Sequence, residues 1–481
     1  MAERDVSDAP DGLPIPQRYW AAATVATALT MAGLDGAIAN VALPTIARDL
    51  HASAASSIWV VNAYQLTAMV SLAPLASLGD IMGYRRIYWM GLAVFTLASL
   101  LCALSSTLPM LALARALQGF GAAGIMSVNA ALVRYTYPQK LLGQGIGINT
   151  LVIATSSAAG PTIASGVLAV AHWQWLFLIN VPIGIVALAL ALRSLPYTEP
   201  SGHHFDLPSA VLSALTFGLL ITGIDSFGHA LGLPIVLAEL AGAVTVGVIL
   251  VRRQESLTVP ILPVDLFRRP IFALSALTST CSFTAQGIAF VAMPFYFQDV
   301  LGRSQVETGL LLTPWPIAVG VAAPFAGRLA DRHPAGVLGG VGLAVLAVGL
   351  VLVALLPAHP TTADIVWRMT ICGLGFGFFQ SPNNRAIITS VPRSRSGNAG
   401  GVVSMARLLG QTIGAALVAL IFGVVAHGGR AGHAATLAVV VAACFAAVAS
   451  VVSSLRMMNF GDADPRGGAA AERVSASSAT S

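Results

Sequence analysis

A single aspartate interrupts the first long apolar stretch of the chain. Asp35 lies in the segment Ala-Gly-Leu-Asp-Gly-Ala-Ile-Ala-Asn, which ends at Asn40. An acid at the centre of a bilayer costs about 2.5–3.5 kcal/mol, a cost that falls if it faces water, has a partner or takes up a proton. The position of this carboxylate therefore predicts a site that handles a proton or another cation.

Arg115, in the fourth apolar stretch, is the expected partner of this acid. If the first span covers residues 19–41 and the fourth covers 110–132, both side chains lie about 8–9 Å below the same membrane face, at 1.5 Å per residue. Pairing would reduce the cost of burying both charges. We interpret the pair as a proton-coupling site, and a static ion pair that only joins two helices is the alternative.

The composition indicates which elements hold these residues. The chain is 56% hydrophobic and 9% charged, whereas soluble domains carry about a quarter charged residues. Apolar runs long enough to cross a membrane as helices recur along nearly the whole chain. The sequence therefore predicts an all-α integral membrane protein with about 14 transmembrane helices.

The basic residues show a strong asymmetry between alternate loops. If the N-terminus is inside, most Lys and Arg residues fall on the cytoplasmic side, which is the distribution that orients multi-spanning proteins. The sequence predicts a multi-pass protein of the bacterial inner membrane with both termini in the cytoplasm. The net charge is +5, and the basic residues lie mainly in the loops on one side of the membrane. We therefore expect the lipid bilayer as a partner and no nucleic acid.

A repeated loop motif indicates that the chain is built from two halves. Ala76–Arg86 contains Asp80, and Gly327–Gly336 contains the corresponding Asp331. Repeated helical bundles with a site between them are typical of secondary transporters. We predict an N-terminal tail (1–18), a six-helix bundle (19–195), a linker with two extra helices (196–262), a second six-helix bundle (263–460) and a disordered tail (461–481).

The repeated loop also carries a predicted conformational latch. The Asp80 carboxylate could interact with the positive dipole at the N-terminus of a helix from the other half. The expected partner is the region near residues 396–398. A loop that serves only as a positively charged orientation signal is the alternative. The predicted latch residues are Asp80, Gly83, Arg85, Arg86 and Asp331.

Small and aromatic residues suggest the remaining functional positions. Gly160 and Pro161 form a small, kinked face in the fifth span; a packing kink without directional meaning is the alternative. A cavity for amphipathic ligands is predicted from polar and aromatic positions in several spans. The predicted cavity residues are Asn40, Tyr64, Gln65, Phe283, Gln286, Phe290, Trp315, Phe378, Gln380 and Arg407.

Several letters of these segments carry a family resemblance. The stretch from Asp35 to Pro44, the run Arg115-Ala-Leu-Gln-Gly-Phe-Gly, Gly160-Pro161 and the segment Trp173–Gly184 together resemble the fourteen-span drug:proton antiporters of the major facilitator superfamily. The resemblance implies that Asp35 and Arg115 handle protons and substrate, and that the Gly-Pro element favours export. The chain departs from the family at Ala76, where the loop motif usually opens with glycine, and at Ala164-Ser165, where a glycine pair is usual.

These observations predict a proton-coupled multidrug efflux antiporter that works as a monomer by alternating access and exports hydrophobic, cationic compounds. A dedicated exporter of one metabolite or antibiotic is the alternative, and a periplasmic adaptor is left open. No phosphate-cradling signature is present, so an ion gradient must supply the energy. No cofactor, metal or enzymatic activity is expected, because neither ligand-like histidine spacing nor a clustered catalytic set occurs.

Overall fold

The computed structural model describes residues 12–198, 205–228, 233–257, 263–330, 332–391, 395–427 and 431–458. Within these ranges the long elements are helices, and their bounds are α1 (Gln17–Asp49), α2 (Trp59–Met82), α3 (Tyr84–Ala103), α4 (Leu108–Thr136), α5 (Leu142–Val170), α6 (Asn180–Ser194), α7 (Leu207–Gly228), α8 (Leu233–Glu255), α9 (Pro270–Phe295), α10 (Pro314–Leu329), α11 (Ala335–Ala354), α12 (Thr362–Thr389), α13 (Ser396–His427) and α14 (Ala431–Met458). The predicted tail 461–481 and Asp331 lie outside the described residues.

The described helices confirm the all-α membrane architecture. Twelve spans are long and apolar enough to cross a membrane, and α5 qualifies as a pair of segments bent by 41°. The less apolar α12 has 28 residues, also enough to cross, so the predicted number of about 14 spans agrees with the described part of the chain. An even number brings both ends of the chain to one side, which we name the terminal face; the opposite side is the distal face.

The first helix is longer than the sequence suggested. We expected α1 to end near residue 41, before Pro44, but it continues to Asp49. A proline inside a helix removes only one backbone donor. Beyond it, the Arg48 Nε donates to the Pro44 carbonyl at 3.2 Å, which helps α1 to continue to the distal face.

The helices pack in two groups, α1–α6 and α9–α14. In the first group α2, α3 and α4 form the tightest contacts, and in the second α10, α11 and α12 pack in the same way. A Cβ built on Gly119 would lie 2.2 Å from the Tyr64 carbonyl oxygen, and one on Gly373 would lie 2.2 Å from that of Trp315. These equivalent contacts support the predicted repeat, whereas the exact bundle limits remain a prediction.

The inserted pair, α7 and α8, lies against both groups. The two helices pack on each other, and α7 also contacts α2 and α13. The Trp59 indole nitrogen donates to Asp225 at 3.0 Å. At the terminal face Arg253 binds Asp206 at 2.9 Å. Burial favours a higher pKa for Asp206, but hydrogen bonds from Ser209 and Arg253 outweigh it, so its pKa lies below the usual value.

Four of the predicted latch residues, Asp80, Gly83, Arg85 and Arg86, lie at the terminal face within the first helix group. Asp80 is exposed and accepts a hydrogen bond from the Tyr84 hydroxyl. The Arg85 guanidinium donates to the Leu192 carbonyl, and Arg86 is exposed. The side chains at 396–398 lie outside the described residues, so the latch remains a prediction.

Gly83 forms the turn between α2 and α3. Its φ of +94° lies in a region that glycine adopts without steric cost. A Cβ at this position would also lie 3.1 Å from the Thr198 carbonyl oxygen. The Thr198 hydroxyl accepts the Tyr84 backbone N–H at 2.9 Å, so this turn is tied to the segment that leads into α7.

Hydrogen bonds join the two helix groups at the distal face. Gln298, in a π-helical turn after α9, accepts from Arg48 at 3.0 Å and donates to the Val41 carbonyl at 3.1 Å. The hydroxyls of Thr162 in α5 and Thr313 before α10 lie 2.8 Å apart. The distal ends of the two groups are therefore in direct contact.

The Gly-Pro element of α5 lies between the two groups. On one side, a Cβ on Gly160 would lie 2.5 Å from the Ala37 Cβ of α1; on the other, a Cβ on Gly309 would lie 1.9 Å from the Ser165 Oγ and 2.5 Å from the Pro161 oxygen. Ser165 stands where the resembling family usually has a glycine. Gly309, in the short helix Gln305–Leu312 that precedes α10, compensates, because it leaves room for the serine side chain.

We predict that Gly83→Ala lowers the free energy of unfolding by about 1–2 kcal/mol, since a Cβ is disfavoured at positive φ. Thermal unfolding in detergent would measure the change. Gly218→Ala is the matched control, because no atom lies within 4 Å of a Cβ at that helical position. Equal midpoints for the two variants would contradict the strain at Gly83.

We predict that Gly309→Ala separates the distal ends, because carbon atoms and their neighbours need about 3.5 Å between them. Spin labels at exposed positions His51 and Leu355, with Cys281 and Cys444 replaced by alanine, should report a longer distance by pulsed electron paramagnetic resonance. Gly166→Ala, which meets no atom within 4 Å, should leave the distance unchanged. An unaltered distance in Gly309→Ala would show that the contact does not hold the distal face closed.

Candidate functional site

Asp35 and Arg115 form a buried ion pair between α1 and α4. The Arg115 Nη1 donates to the Asp35 Oδ2, and the two residues are 2% and 1% exposed. The structure thus brings together the two charged residues that the sequence singled out. Their equal depth was derived from a span end near residue 41, whereas α1 extends to Asp49. The Arg115 side chain nevertheless reaches the Asp35 carboxylate.

The second carboxylate oxygen of Asp35 is held by two amides. The Gln118 Nε2 donates to Oδ1 at 2.8 Å, and the Asn180 Nδ2 donates to the same oxygen at 3.0 Å. Asn180 is the first residue of α6, so three helices surround this one side chain. The carboxylate is therefore fixed in one orientation and has no oxygen without a donor.

Arg115 is also satisfied by neutral groups. Its Nε donates to the Val60 carbonyl at 2.9 Å, and its Nη1 donates to the Gln118 Oε1 at 2.6 Å. The guanidinium carbon lies 4.3 Å from the Tyr64 ring centroid and 5.5 Å from that of Phe177. Cation–π contacts of this kind are favourable when the cation is shielded from water.

Gln118 links the ion pair to α3. Its Nε2 donates to the Ser99 Oγ at 2.8 Å as well as to Asp35, and its Oε1 accepts from Arg115. Sequence reasoning named neither Gln118 nor Asn180 as a site residue, although both lie in the segments that carried the family resemblance. Their signal was available: Gln118 lies one helical turn after Arg115 and therefore on the same side of α4.

The predicted cavity residues divide into a buried and a partly exposed set. Phe283 packs on Phe376 and Phe290 packs on Trp315, each with ring centroids 5.3 Å apart. The buried members are Asn40, Tyr64, Gln65, Phe283 and Trp315. The partly exposed members are Gln286, Phe290, Phe378, Gln380 and Arg407. The buried set would need a rearrangement before it could contact a ligand.

Arg407 approaches the ion pair from the other helix group. Its charge acts on the Tyr64 hydroxyl, while the adjacent Leu408 packs on Met69 of α2. The Arg115 guanidinium packs on the Tyr64 ring, and the Arg407 charge acts on the hydroxyl of the same tyrosine. An arginine from each helix group therefore influences Tyr64.

A second buried arginine was not predicted from the sequence. The Arg456 Nη1 donates to the Ser275 Oγ and the Asn383 Oδ1, both at 2.8 Å. Arg456 is 6% exposed, and its hydrogen bonds tie α14 to α9 and α12 near the terminal face. Position alone suggested a loop charge, because Arg456 lies at the very end of an apolar run.

No group of three metal-ligating side chains occurs among the described residues. The arrangement around Asp35 contains an acid, a guanidinium and amides in a shielded setting. The Asp35 carboxylate can bind or release a proton only when a rearrangement gives water access to it. Its protonation would therefore be linked to a change of conformation.

We predict that Gln118→Leu lowers the free energy of unfolding by about 2–3 kcal/mol, because it removes one hydrogen bond from each of the two buried charges. Gln65→Leu is the matched control, since the Gln65 Oε1 is buried and has no partner in the described structure. Thermal unfolding in detergent would compare them. If Gln65→Leu proved as costly as Gln118→Leu, the amide would not be a specific support of the ion pair.

Comparison with known proteins agrees with this architecture. A solved structure of a bacterial homologue of the human lysosomal transporter Spinster, in an inward-facing and unoccupied conformation, matches with a TM-score of 0.68 at 14% identity, over 92% of this chain and 97% of that chain. This likeness shows the fold alone.

Sequence relatives include named transporters. The chain is 58% identical to "Uncharacterized transporter YebQ" of Escherichia coli (strain K12), over 93% of this chain and 97% of the relative. It is 30% identical to "Riboflavin transporter RibZ" of Clostridioides difficile (strain 630), over 82% and 85%. It is 33% identical to "Multidrug resistance protein Stp" of Mycobacterium tuberculosis, over 81% and 73%. Residues 25–415 match the model of the Major Facilitator Superfamily, and the chain therefore belongs to that family of membrane transporters.

Proposed function

We propose that the protein is a proton-coupled efflux antiporter that exports hydrophobic compounds by alternating access. One observation carries the proposal: the Asp35 carboxylate, within a membrane span, is fully paired and hydrogen-bonded. Its helix, α1, also packs on α5, which contacts the other helix group. Intramembrane acids of this kind are typical of proton pathways. Relatives named for multidrug resistance support export as the direction.

The closed distal face suggests how the site is used. With Gln298 and Gly309 holding the distal ends together, a cleft between the groups can open only toward the terminal face. We take the terminal face to be cytoplasmic, because the basic residues are concentrated in its loops. In this state Asp35 is shielded and paired with Arg115; opening of the distal face would give its carboxylate access to an external proton.

The path of coupling runs through α5. Gly160 packs on Ala37, two residues after Asp35, while Pro161 and Ser165 pack on Gly309 of the other group. A shift of α1 on protonation of Asp35 would therefore move the contact that closes the distal face. Protonation of Asp35 and opening of the distal face would then be coupled through these packed side chains.

The charge of the substrate remains a prediction. An exposed carboxylate would favour cationic substrates, but Asp35 is shielded and the Arg407 guanidinium would repel a positive charge. Neutral hydrophobic compounds fit the partly exposed aromatic and amide side chains without this repulsion. We therefore propose hydrophobicity as the primary selection.

A dedicated exporter of one compound is the second candidate. It is favoured by relatives whose names specify one substrate, such as the riboflavin transporter. A panel of transport substrates would separate the candidates, since a dedicated exporter would move one chemical class and a multidrug pump several. Location in the bacterial inner membrane, a working monomer and the absence of cofactors belong to the same proposal.

We predict that Asp35→Asn abolishes dye export driven by a pH gradient, because an amide cannot take up the proton. Its oxygen can still accept a hydrogen bond from Arg115, so the variant should remain folded. Inverted membrane vesicles loaded with a pH gradient would measure a loss of at least about tenfold, the factor that corresponds to 1.4 kcal/mol. Dye exchange without a pH gradient should persist.

Glu239→Gln is the control for loss of a membrane acid, since Glu239 lies in α8 of the inserted pair. It should export dye at the parent rate. Size-exclusion chromatography in detergent would verify that both variants are folded. Parent-rate, gradient-driven export by Asp35→Asn would rule out the coupling role of this acid.

A further inference from the structure

We propose that a cavity at the distal face binds an organic cation, and that the bound cation holds the two helix groups together there. The cavity has a volume of about 390 Å³, within the range of about 300–1,000 Å³ that is typical of small-molecule sites. Its lining includes Thr45, Asp49, Leu168, Val170, His172 and Gln305. None of these residues belongs to the Asp35 site or to the predicted substrate cavity.

Both helix groups build this cavity. Thr45 and Asp49 lie in the last turns of α1, and Leu168 lies near the end of α5. Gln305 begins the short helix Gln305–Leu312, which precedes α10 in the second group. The lining therefore spans the junction of the two groups.

The cavity lies just outside the contact that closes the distal face. Gln305 is four residues, about one turn, before Gly309, and Leu168 is three residues after Ser165. A Cβ on Gly309 would lie 1.9 Å from the Ser165 Oγ, so the cavity and the closing contact share the same two helices. Separation of Ser165 from Gly309 would draw Gln305 away from Leu168 and open one wall. The site is therefore complete only while the distal ends are in contact.

Asp49 supplies the negative charge of the cavity. It is exposed, and its carboxylate takes no part in a hydrogen bond or an ion pair within the described part of the chain. The neighbouring Arg48 is not part of the lining, and its guanidinium donates to the Pro44 carbonyl and to Gln298. A carboxylate without a partner at the wall of a cavity attracts a positively charged ligand.

The rest of the lining indicates the body of the ligand. His172 and Gln305 contribute polar side chains, and Leu168 and Val170 contribute apolar ones. A calcium ion takes about six to eight oxygen ligands, whereas this lining has a single carboxylate and a volume far larger than one ion. The chemical class that fits is an organic ammonium ion with a small apolar body.

A ligand in this cavity contacts both helix groups, so it binds the form with closed distal ends better than the open form. Such a ligand shifts the equilibrium toward the closed form by the ratio of its two affinities. Added at the distal side, it would slow turnover without occupying the substrate cavity. The inference is independent of the direction of transport and of proton coupling.

The first experiment tests the charge. The probe is benzyltrimethylammonium, and isothermal titration of the protein in lipid nanodiscs would measure its Kd. We expect Asp49→Asn to weaken binding of the probe at least tenfold, because the amide carries no charge.

Asp299→Asn is the matched control, because Asp299 is an exposed acid at the same face and does not line the cavity. It should leave the Kd within twofold of the parent value. The proposal is overturned if the parent protein does not bind the probe, if Asp49→Asn binds it as tightly as the parent, or if both variants lose affinity equally.

The second experiment tests the contribution of the second helix group. Gln305→Trp places a large ring in the cavity, and Leu310→Trp places the same ring at a position that is 51% exposed and outside the lining. We expect Gln305→Trp to weaken binding of the probe at least tenfold and Leu310→Trp to leave it within twofold. Equal binding by Gln305→Trp and the parent would show that the probe occupies another site and would overturn the assignment.

The third experiment tests whether the bound probe closes the distal face. With Cys281 and Cys444 replaced by alanine, a membrane-impermeant maleimide would modify Thr313→Cys, one turn after Gly309, at a rate set by transient opening. A ligand at about 100 times its Kd that binds only the closed form lowers the open fraction about 100-fold. We therefore expect the probe to slow modification at least tenfold, and to give no protection when Asp49→Asn is added. An unchanged rate with the probe bound would refute the closing role.

Discussion

The cost of an unpaired charge in hydrocarbon is the constraint on which this structure depends. Asp35 and Arg115 satisfy it together, and the amides of Gln118 and Asn180 complete the shell. Because those residues belong to α1, α4 and α6, the position of one carboxylate fixes three helices relative to one another. Truncating either charged side chain, with loss of its hydrogen bonds, would leave the other charge buried without a partner, which is far more costly than losing a surface ion pair.

The charged site occurs in only one of the two repeated groups. Gly119 and Gly373 make equivalent contacts with Tyr64 and Trp315, so the fourth residue before each glycine is also equivalent. That residue is Arg115 in the first group and Met369 in the second, and Gln118 corresponds to Cys372. The second group retains the close packing without the charges. Proton chemistry would therefore act in the first group, while the second supplies the distal contact and Arg407.

The sequence was sufficient for the fold and for the central pair. Uniform apolar runs predicted the helices, and two charges in separate runs predicted each other, because both signals follow from the energy of transfer into hydrocarbon. The extension of α1 past Pro44 was missed, since the effect of a proline depends on its neighbours. Gln118, Asn180 and Gly309 were missed as site or gate residues for a similar reason: their roles depend on which helix lies opposite, and a single sequence does not report helix pairing.

The contacts of Thr198 and Asp225 show how the inserted pair and its connecting segment are attached to the first helix group. Thr198, in the segment that leads into α7, accepts a hydrogen bond from Tyr84, beside the turn at Gly83 that follows α2. Asp225 in α7 accepts a hydrogen bond from Trp59, at the other end of α2. The inserted pair and the segment that leads into it thus contact both ends of α2. Excision of α7 and α8 to produce a twelve-span form would remove the hydrogen bond between Trp59 and Asp225, so the inserted pair contributes to the mechanical frame of the first group.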